Sequence, residues 1–183
     1  MMKTVLVPLA TGFEEIEAIT IIDILRRAGA KVITAGLEKR NVIGSHGIHL
    51  VADSVLAEEM DKNWDLIVLP GGVPGTPNLL ADERIVKLVR NHNSTGRLIG
   101  AICAAPAVLD KAGVVDQQEI TLHPAWADRL KSAIYSNERV QKTGTVITGK
   151  SAGTAMEFAF ALVEALYGKD KVDEINQGVF ARL

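Results

Sequence analysis

Residues 96–109, GRLIGAICAAPAVL, restrict this chain more than any other stretch. An apolar run through Leu98, Ile99 and Ile102 ends at Cys103, the only cysteine, and Pro106 follows at the head of a helical pattern. The run has the length and apolar richness of a parallel strand buried on both faces. Proline cannot occupy a central strand, but it is tolerated in the first turn of a helix, where its missing N–H is not needed. The chain must therefore turn sharply at Cys103, from the carboxyl end of a strand into the amino end of a helix. That is the strand–turn–helix setting of a nucleophile elbow, with cysteine at its apex. Ala104 and Ala105 leave the sulfur approachable, and unpaired helix N–H groups with the positive end of the dipole favour a thiolate. A lone cysteine is more often inert packing. Its place at the elbow is what makes Cys103 a candidate.

The core implied by composition suits such a turn. Apolar residues make up 48% of the 183 but aromatics only 4%, so the interior is built from Val, Ile, Leu and Ala. That favours parallel strands covered by helices over an aromatic-cored β-sandwich, and the length suffices for one domain across residues 1–183. Lysine and arginine number 20 against 22 acids, with no basic cluster, so nucleic-acid binding has no electrostatic footprint. One cysteine excludes an internal disulfide framework and a multi-cysteine metal cluster. No apolar run approaches a membrane span, and Met1-Met2-Lys3 leads into too short a run for a secretion signal. The expectation is a cytoplasmic protein in a reducing compartment, without membrane or nucleic-acid partners.

Periodicity places the other elements. Thr4–Leu9 reads as the first strand, and residues 14–28 as a helix with an apolar face through Ile16, Ile19 and Ile22 or Ile24, stopped by Gly29. Residues 31–35 form the second strand, parallel to the first through a right-handed crossover. Residues 41–53 read as a hairpin or loose extension, and residues 65–69 as a third buried strand ending at Pro70-Gly71-Gly72. Residues 73–78 carry two further prolines and a glycine, and residues 83–93 form a helix with Ile85, Val86, Leu88 and Val89 inward. Beyond the elbow, residues 119–122, 133–135, 140–142 and 146–148 predict short strands, with a turn at Thr143-Gly144 and a short helix over 125–131. Ser151 or Thr154 caps a long helix with an apolar stripe of Phe158, Leu162, Ala165 and Leu166, and residues 169–178 form a last helix.

In open α/β sheets chemistry collects outside the carboxyl ends of the strands. Three such ends stand out: residues 10–17, residues 70–73 and Cys103. Gly71 and Gly72 lack a β-carbon, so a bare N–H from Gly72, paired with that of Ala104, can form an oxyanion hole beside the sulfur. Glu14, Glu15 and Glu17 crowd the first turn of the first helix, where acids complement the dipole, and that account suffices for Glu14 and Glu15. Glu17 differs if it turns inward. A carboxylate beside a thiolate is a like-charge pair, so one member keeps its proton, and a neutral Glu17 would donate to the sulfur and shuttle protons. His123, before Pro124, is a third candidate. The remaining histidines show no metal-ligand spacing, and the run from His46 to His49 has no acidic or cysteine neighbours in sequence.

With these residues in place, the chain resembles the DJ-one/ThiJ/PfpI superfamily, in the branch of the Parkinson-associated DJ protein and bacterial YajL-like proteins. The resemblance rests on GFEEIEAI (12–19), RRAGAKV (26–32), DLIVLPGG (65–72), AICAAPAVL (101–109) and GTAMEFAFALVEALYGK (153–169), in order, with HPAWAD (123–128) beside them. It implies a flavodoxin-like three-layer sandwich with a mostly parallel sheet, usually a homodimer. It implies Cys103 as an oxidisable nucleophile, Glu17 as its protonated partner, Gly72 and Ala104 as backbone donors, and His123 as the nearby histidine. The implied activity is a cofactor-free, metal-free glyoxalase acting on methylglyoxal and related dicarbonyls, with deglycase activity on their adducts at the same site. The alternative is a redox sensor or chaperone-like stress protein with little turnover. Two departures matter. Ala104 stands where the peptidase-like PfpI branch has histidine, and no late His-x-Glu pair is present, which argues against peptidase chemistry. His46 and the segment around Lys150 stand where close relatives carry arginines near the sulfur, removing fixed guanidinium forks.

Overall fold

A computed structural model describes residues 2–183. In chain order the elements are β1 (Thr4–Leu9), α1 (Glu15–Arg27), β2 (Lys31–Gly36), β3 (Asn41–Ile43), β4 (His49–Val51), β5 (Ser54–Val55) and β6 (Leu66–Leu69). There follow α2 (Gly75–Ala81), α3 (Glu83–Ser94), β7 (Leu98–Ile102), α4 (Pro106–Lys111), β8 (Glu119–Ile120), β9 (Ile134–Tyr135), β10 (Val140–Thr143), β11 (Val146–Gly149), α5 (Ala155–Tyr167) and α6 (Lys169–Val179). The central strands are apolar at successive positions because both sheet faces are covered. On β1, Val5, Val7 and Leu9 face the layer of α1, α5 and α6, while Leu6 faces that of α3 and α4. On β6 the alternation is the same, Leu66 and Val68 on one side and Ile67 and Leu69 on the other.

One seven-stranded sheet runs β10-β11-β7-β6-β1-β2-β5, parallel throughout except for the β10–β11 hairpin. Its five long parallel members, taken in chain order, lie 2-1-3-4-5. That is the flavodoxin-like winding, with the switch point between β1 and β6. Gly100 on β7 lets α5 approach closely, since a β-carbon there would sit 3.0 Å from Leu162 and Val68 side-chain carbons. The α/β sandwich expected from the sequence is the fold of the protein.

Several local readings change. Helix α1 buries Glu17, Ala18, Ile21, Ile22, Ile24 and Leu25, whereas Ile16 and Ile19, expected on the inner face, are 58% and 47% exposed. The helix is rotated so that a carboxyl, rather than two isoleucines, points inward. Residues 75–81, for which periodicity predicts no element, form α2: Pro77 lies in its first turn, where no N–H is required. The segment 125–131 is a 3-10 turn over Pro124–Arg129 rather than an α-helix. Ser151 caps a short 3-10 turn over Ala152–Thr154 that runs directly into α5, with Thr154 Oγ1 accepting the Ser151 N–H at 3.2 Å. Residues 41–53 are a hairpin, β3 against β4, with Gly47 at its turn. No helix among the described residues is long and apolar enough to cross a membrane.

Candidate active site

The carboxyl ends of β1, β6 and β7 meet at the switch point, and backbone hydrogen bonds stitch their loops together. The Glu14 N–H donates to the Gly71 carbonyl at 2.9 Å, and the Gly75 N–H to the Gly12 carbonyl at 3.0 Å. Cys103 sits at φ +63, a left-handed conformation uncommon for a residue with a β-carbon. It is held there from both sides: its N–H donates to the Gly149 carbonyl at 2.9 Å, and its carbonyl accepts the His123 N–H at 2.8 Å. The sharp turn inferred from Cys103 and Pro106 is therefore present, and Pro106 is the first residue of α4.

Glu17 reaches this turn from α1. Its side chain is fully buried, Oε2 accepts the Gly71 N–H at 2.8 Å, and the carboxyl lies beside the Cys103 thiol and couples to it. Oε1 has no hydrogen-bond partner among the described residues. The sulfur, partly exposed, faces the backbone N–H groups of Ala104 and Gly72. The two glycines explain the close approach. A β-carbon on Gly71 would lie 2.7 Å from Cys103 Cβ and 2.9 Å from Glu17 Oε2, and one on Gly72 (φ +103) would lie 2.4 Å from the Glu14 nitrogen. The structure thus brings together Cys103, Glu17, Gly72 and Ala104. It adds Gly71, whose N–H holds Glu17; the sequence carried that signal only as an undivided Gly-Gly pair.

Burial, with the charge of Glu14 behind it, pushes Glu17 up to about 7 against the pull of the Gly71 N–H and the thiol. Burial also pushes the Cys103 thiol up to about 12 when Glu17 is ionised, the carboxylate adding to the effect and the N–H groups of Ala104 and Gly72 opposing it. The depressed thiol expected from the elbow alone is therefore reversed while Glu17 carries the charge. The two groups lie side by side, so they titrate as a coupled pair.

His123 is anchored to the elbow through its backbone, but its Nδ1 accepts the Ala125 N–H at 3.2 Å and caps the 3-10 turn. Its ring has no hydrogen bond to Cys103 or Glu17 among the described residues, which leaves Nε2 for any proton exchange. Glu15 and His46 also depart from expectation. Glu15 is buried rather than simply facing solvent at the dipole. Its carboxylate accepts the His46 N–H at 2.7 Å, Ser45 Oγ at 3.1 Å and the Ile48 N–H at 3.3 Å, with His46 Nδ1 at 2.9 Å. Burial pushes Glu15 up, but the His46 side chain and these N–H groups outweigh it and hold the carboxyl down at about 2. His46, which has no acid near it in sequence, has two in space, and it is raised by Glu15. Glu14, Glu15 and His46 bring ligand atoms within 4.8 Å of one another, although the closest of them are engaged with each other. Lys150 Nζ is turned to Asn137, donating to its carbonyl at 2.9 Å and to Oδ1 at 2.6 Å. Neither cation hydrogen-bonds the sulfur.

Similarity to known proteins spans most of the chain. A model of the DJ-1/PfpI family matches residues 3–165. The chain is 40% identical over 182 residues to protein dj-1beta of Drosophila melanogaster, covering 98% of this chain and 97% of that protein. The solved structure of Drosophila DJ-1beta superposes over 100% of both chains with a TM-score of 0.97. Over 175 residues the chain is 41% identical to protein DJ-1 homolog A of Arabidopsis thaliana, covering 94% of this chain; it spans only 45% of that plant protein's length. A Caenorhabditis elegans protein named glutathione-independent glyoxalase DJR-1.2 is 37% identical over 164 residues, 88% of this chain and 87% of its own. Oxidized Toxoplasma gondii DJ-1 superposes with a TM-score of 0.95 at 33% identity, over 99% of this chain and 100% of that one.

Proposed function

The chain belongs to the DJ-1/PfpI family, and from that premise we propose that it is a cysteine-dependent, cofactor-free glyoxalase that converts methylglyoxal and related small dicarbonyls to hydroxy acids. The observation that carries the reading is the adjacent, coupled Cys103–Glu17 pair beside two backbone N–H donors. The name of the nematode relative supports the substrate class.

The chemistry needs one anion and one mobile proton, and the pair supplies both. Three donors converge on the sulfur: the N–H groups of Gly72 and Ala104 and, when protonated, Glu17 itself. An ionised Glu17, fully buried, has one N–H and a weakly donating thiol. The reactive form is therefore thiolate with carboxylic acid. Cys103 Sγ adds to the aldehyde carbon of methylglyoxal, and the resulting oxyanion takes over the N–H donors of Gly72 and Ala104. Glu17, as carboxylate after protonating that oxygen, removes the proton from this carbon and returns it to the adjacent one, while the hydroxyl proton passes to the neighbouring ketone oxygen, giving a lactoyl thioester. Water hydrolyses the thioester, releasing lactate and the thiolate. His123 enters through Nε2 only, as a proton donor to the bound substrate. Adducts of dicarbonyls with amines or thiols expose the same carbon and are substrates of the same site.

A homodimer accompanies this reading, supported by exposed apolar residues Ile16 and Ile19 on α1 and Ile48 and Val51 on the adjoining hairpin. Partial exposure of the sulfur supports a second role in oxidative stress, since a thiolate without a resolving cysteine proceeds from sulfenate to sulfinate.

The test is methylglyoxal consumption with lactate appearance by the purified protein beside Cys103→Ser and Glu17→Ala, each checked for retained fold by circular dichroism. Loss of turnover in both is expected; turnover persisting in either folded variant overturns the mechanism. Dilute peroxide on the same samples should add two oxygens at Cys103 by intact mass. An untouched Cys103 beside oxidised methionines removes the second role.

A further inference from the structure

A cavity of about 360 Å³ lies between α2, α4 and the 3-10 turn over Pro124–Arg129, and neither Cys103 nor Glu17 lines it. Its volume falls within the range of small-molecule sites. Pro77, Leu80, Ala107 and Trp126 give it an apolar floor, and Arg129 and Lys131 stand at its rim. Its charges are unevenly matched. The one carboxylate in the lining, Asp110, is consumed by the protein: it accepts the N–H groups of Lys131 at 2.7 Å, Ser132 at 3.1 Å and Ala133 at 2.9 Å, and the Ser132 hydroxyl at 3.1 Å. Lys111 is likewise engaged, by the Leu80 carbonyl at 2.8 Å and the Glu83 carboxylate at 2.6 Å.

Arg129 and the Lys131 ammonium have no hydrogen-bond or ion-pair partner among the described residues, yet Arg129 is not loose. Its guanidinium lies over the Trp126 ring, 4.2 Å from the centroid. Stacking fixes the plane of the fork while leaving its in-plane N–H groups unused. A held fork with free donors, a second cation beside it and an apolar floor beneath match one ligand chemistry. We propose that this cavity binds a small amphipathic carboxylate, its apolar body on Pro77, Leu80 and Trp126 and its carboxylate in a bidentate pair with Arg129. This site is independent of the dicarbonyl chemistry and stands or falls separately from it.

The chain has two tryptophans, so the experiment has an internal control. Nitrogen-15-labelled protein is titrated with 4-phenylbutyrate, with 4-phenylbutan-1-ol and with inorganic phosphate, following the two indole N–H resonances; Trp126→Phe assigns them. Phenylbutyrate should move the Trp126 signal saturably and leave Trp64, buried in a separate cluster, in place. The alcohol should bind at least about tenfold more weakly, and Arg129→Gln should weaken the acid by about tenfold, the scale of losing a charge-assisted bond. Arg129→Lys, which keeps the charge but not the fork, should recover part of that loss. Equal binding of acid and alcohol would mean an apolar cavity only, and an equal response to phosphate a plain anion site. Either result, a response unchanged in Arg129→Gln, or no saturable shift with the acid overturns the proposal.

Discussion

Replacing Glu17 with glutamine asks which atom of the buried pair carries the charge, and the two possible answers differ in sign. If the anion rests on sulfur, Glu17 is the third of three donors to it, beside the N–H groups of Gly72 and Ala104. A hydrogen bond to a charged group contributes about 1.5–3 kcal/mol, and glutamine's amide N–H, a weaker donor than a carboxylic acid, keeps only part of it. The loss of about 1 kcal/mol or somewhat more raises the thiol pKa by about one pH unit; Glu17→Leu, which keeps no donor, should raise it further. If instead the anion rests on Glu17, burial and, after it, the carboxylate push the thiol up to about 12, a destabilisation of the thiolate by about 4 kcal/mol of which the carboxylate supplies a part. Removing it would then lower the thiol pKa. The assay is ultraviolet titration of the thiolate, with Cys103→Ser as the blank, backed by the pH dependence of iodoacetamide alkylation. One cysteine makes both signals unambiguous. A glutamine variant that ionises at lower pH than the parent refutes the thiolate–carboxylic acid assignment and the mechanism built on it.

Gly71→Ala forces a β-carbon to within 2.7 Å of Cys103 Cβ and 2.9 Å of Glu17 Oε2, so turnover should fall by about a hundredfold while circular dichroism stays unchanged; near-parental activity would show that the pair tolerates displacement. Stability should also depend on Glu17. Its carboxyl is raised from 4.5 to about 7 in the folded protein, so folding takes up a proton, and the contribution is complete below pH 4.5 and lost as pH rises through about 7. Denaturant unfolding should give a loss of about 3 kcal/mol between acid and neutral pH that Glu17→Gln abolishes; the same slope in the variant would place its origin elsewhere.

Much of the scaffold was legible in one dimension, because the physics that sets it is local and periodic. Continuous apolar runs at 4–9, 65–69 and 98–102 signal strands covered on both faces, and Pro106 after an apolar run places a strand-to-helix turn at Cys103 without any tertiary information. What the chain could not state is the rotation of its helices and the direction of its side chains. Helix α1 contains enough isoleucines to offer two apolar faces, and only packing against the sheet decides that Ile21, Ile22 and Ile24 turn inward while Ile16 and Ile19 stay outside. The same rotation sends Glu17 onto the sulfur and Glu15 into the hairpin turn at His46. Charge assignment was further out of reach. An elbow alone predicts an acidic thiol, whereas burial of a carboxyl from another segment makes the proton a shared property of two residues 86 positions apart in number, Glu17 and Cys103. Sequence determines which groups exist and where the backbone bends, because those depend on neighbours in the chain. Distances, burial and the resulting acidities depend on neighbours in space, and only the folded structure supplies them.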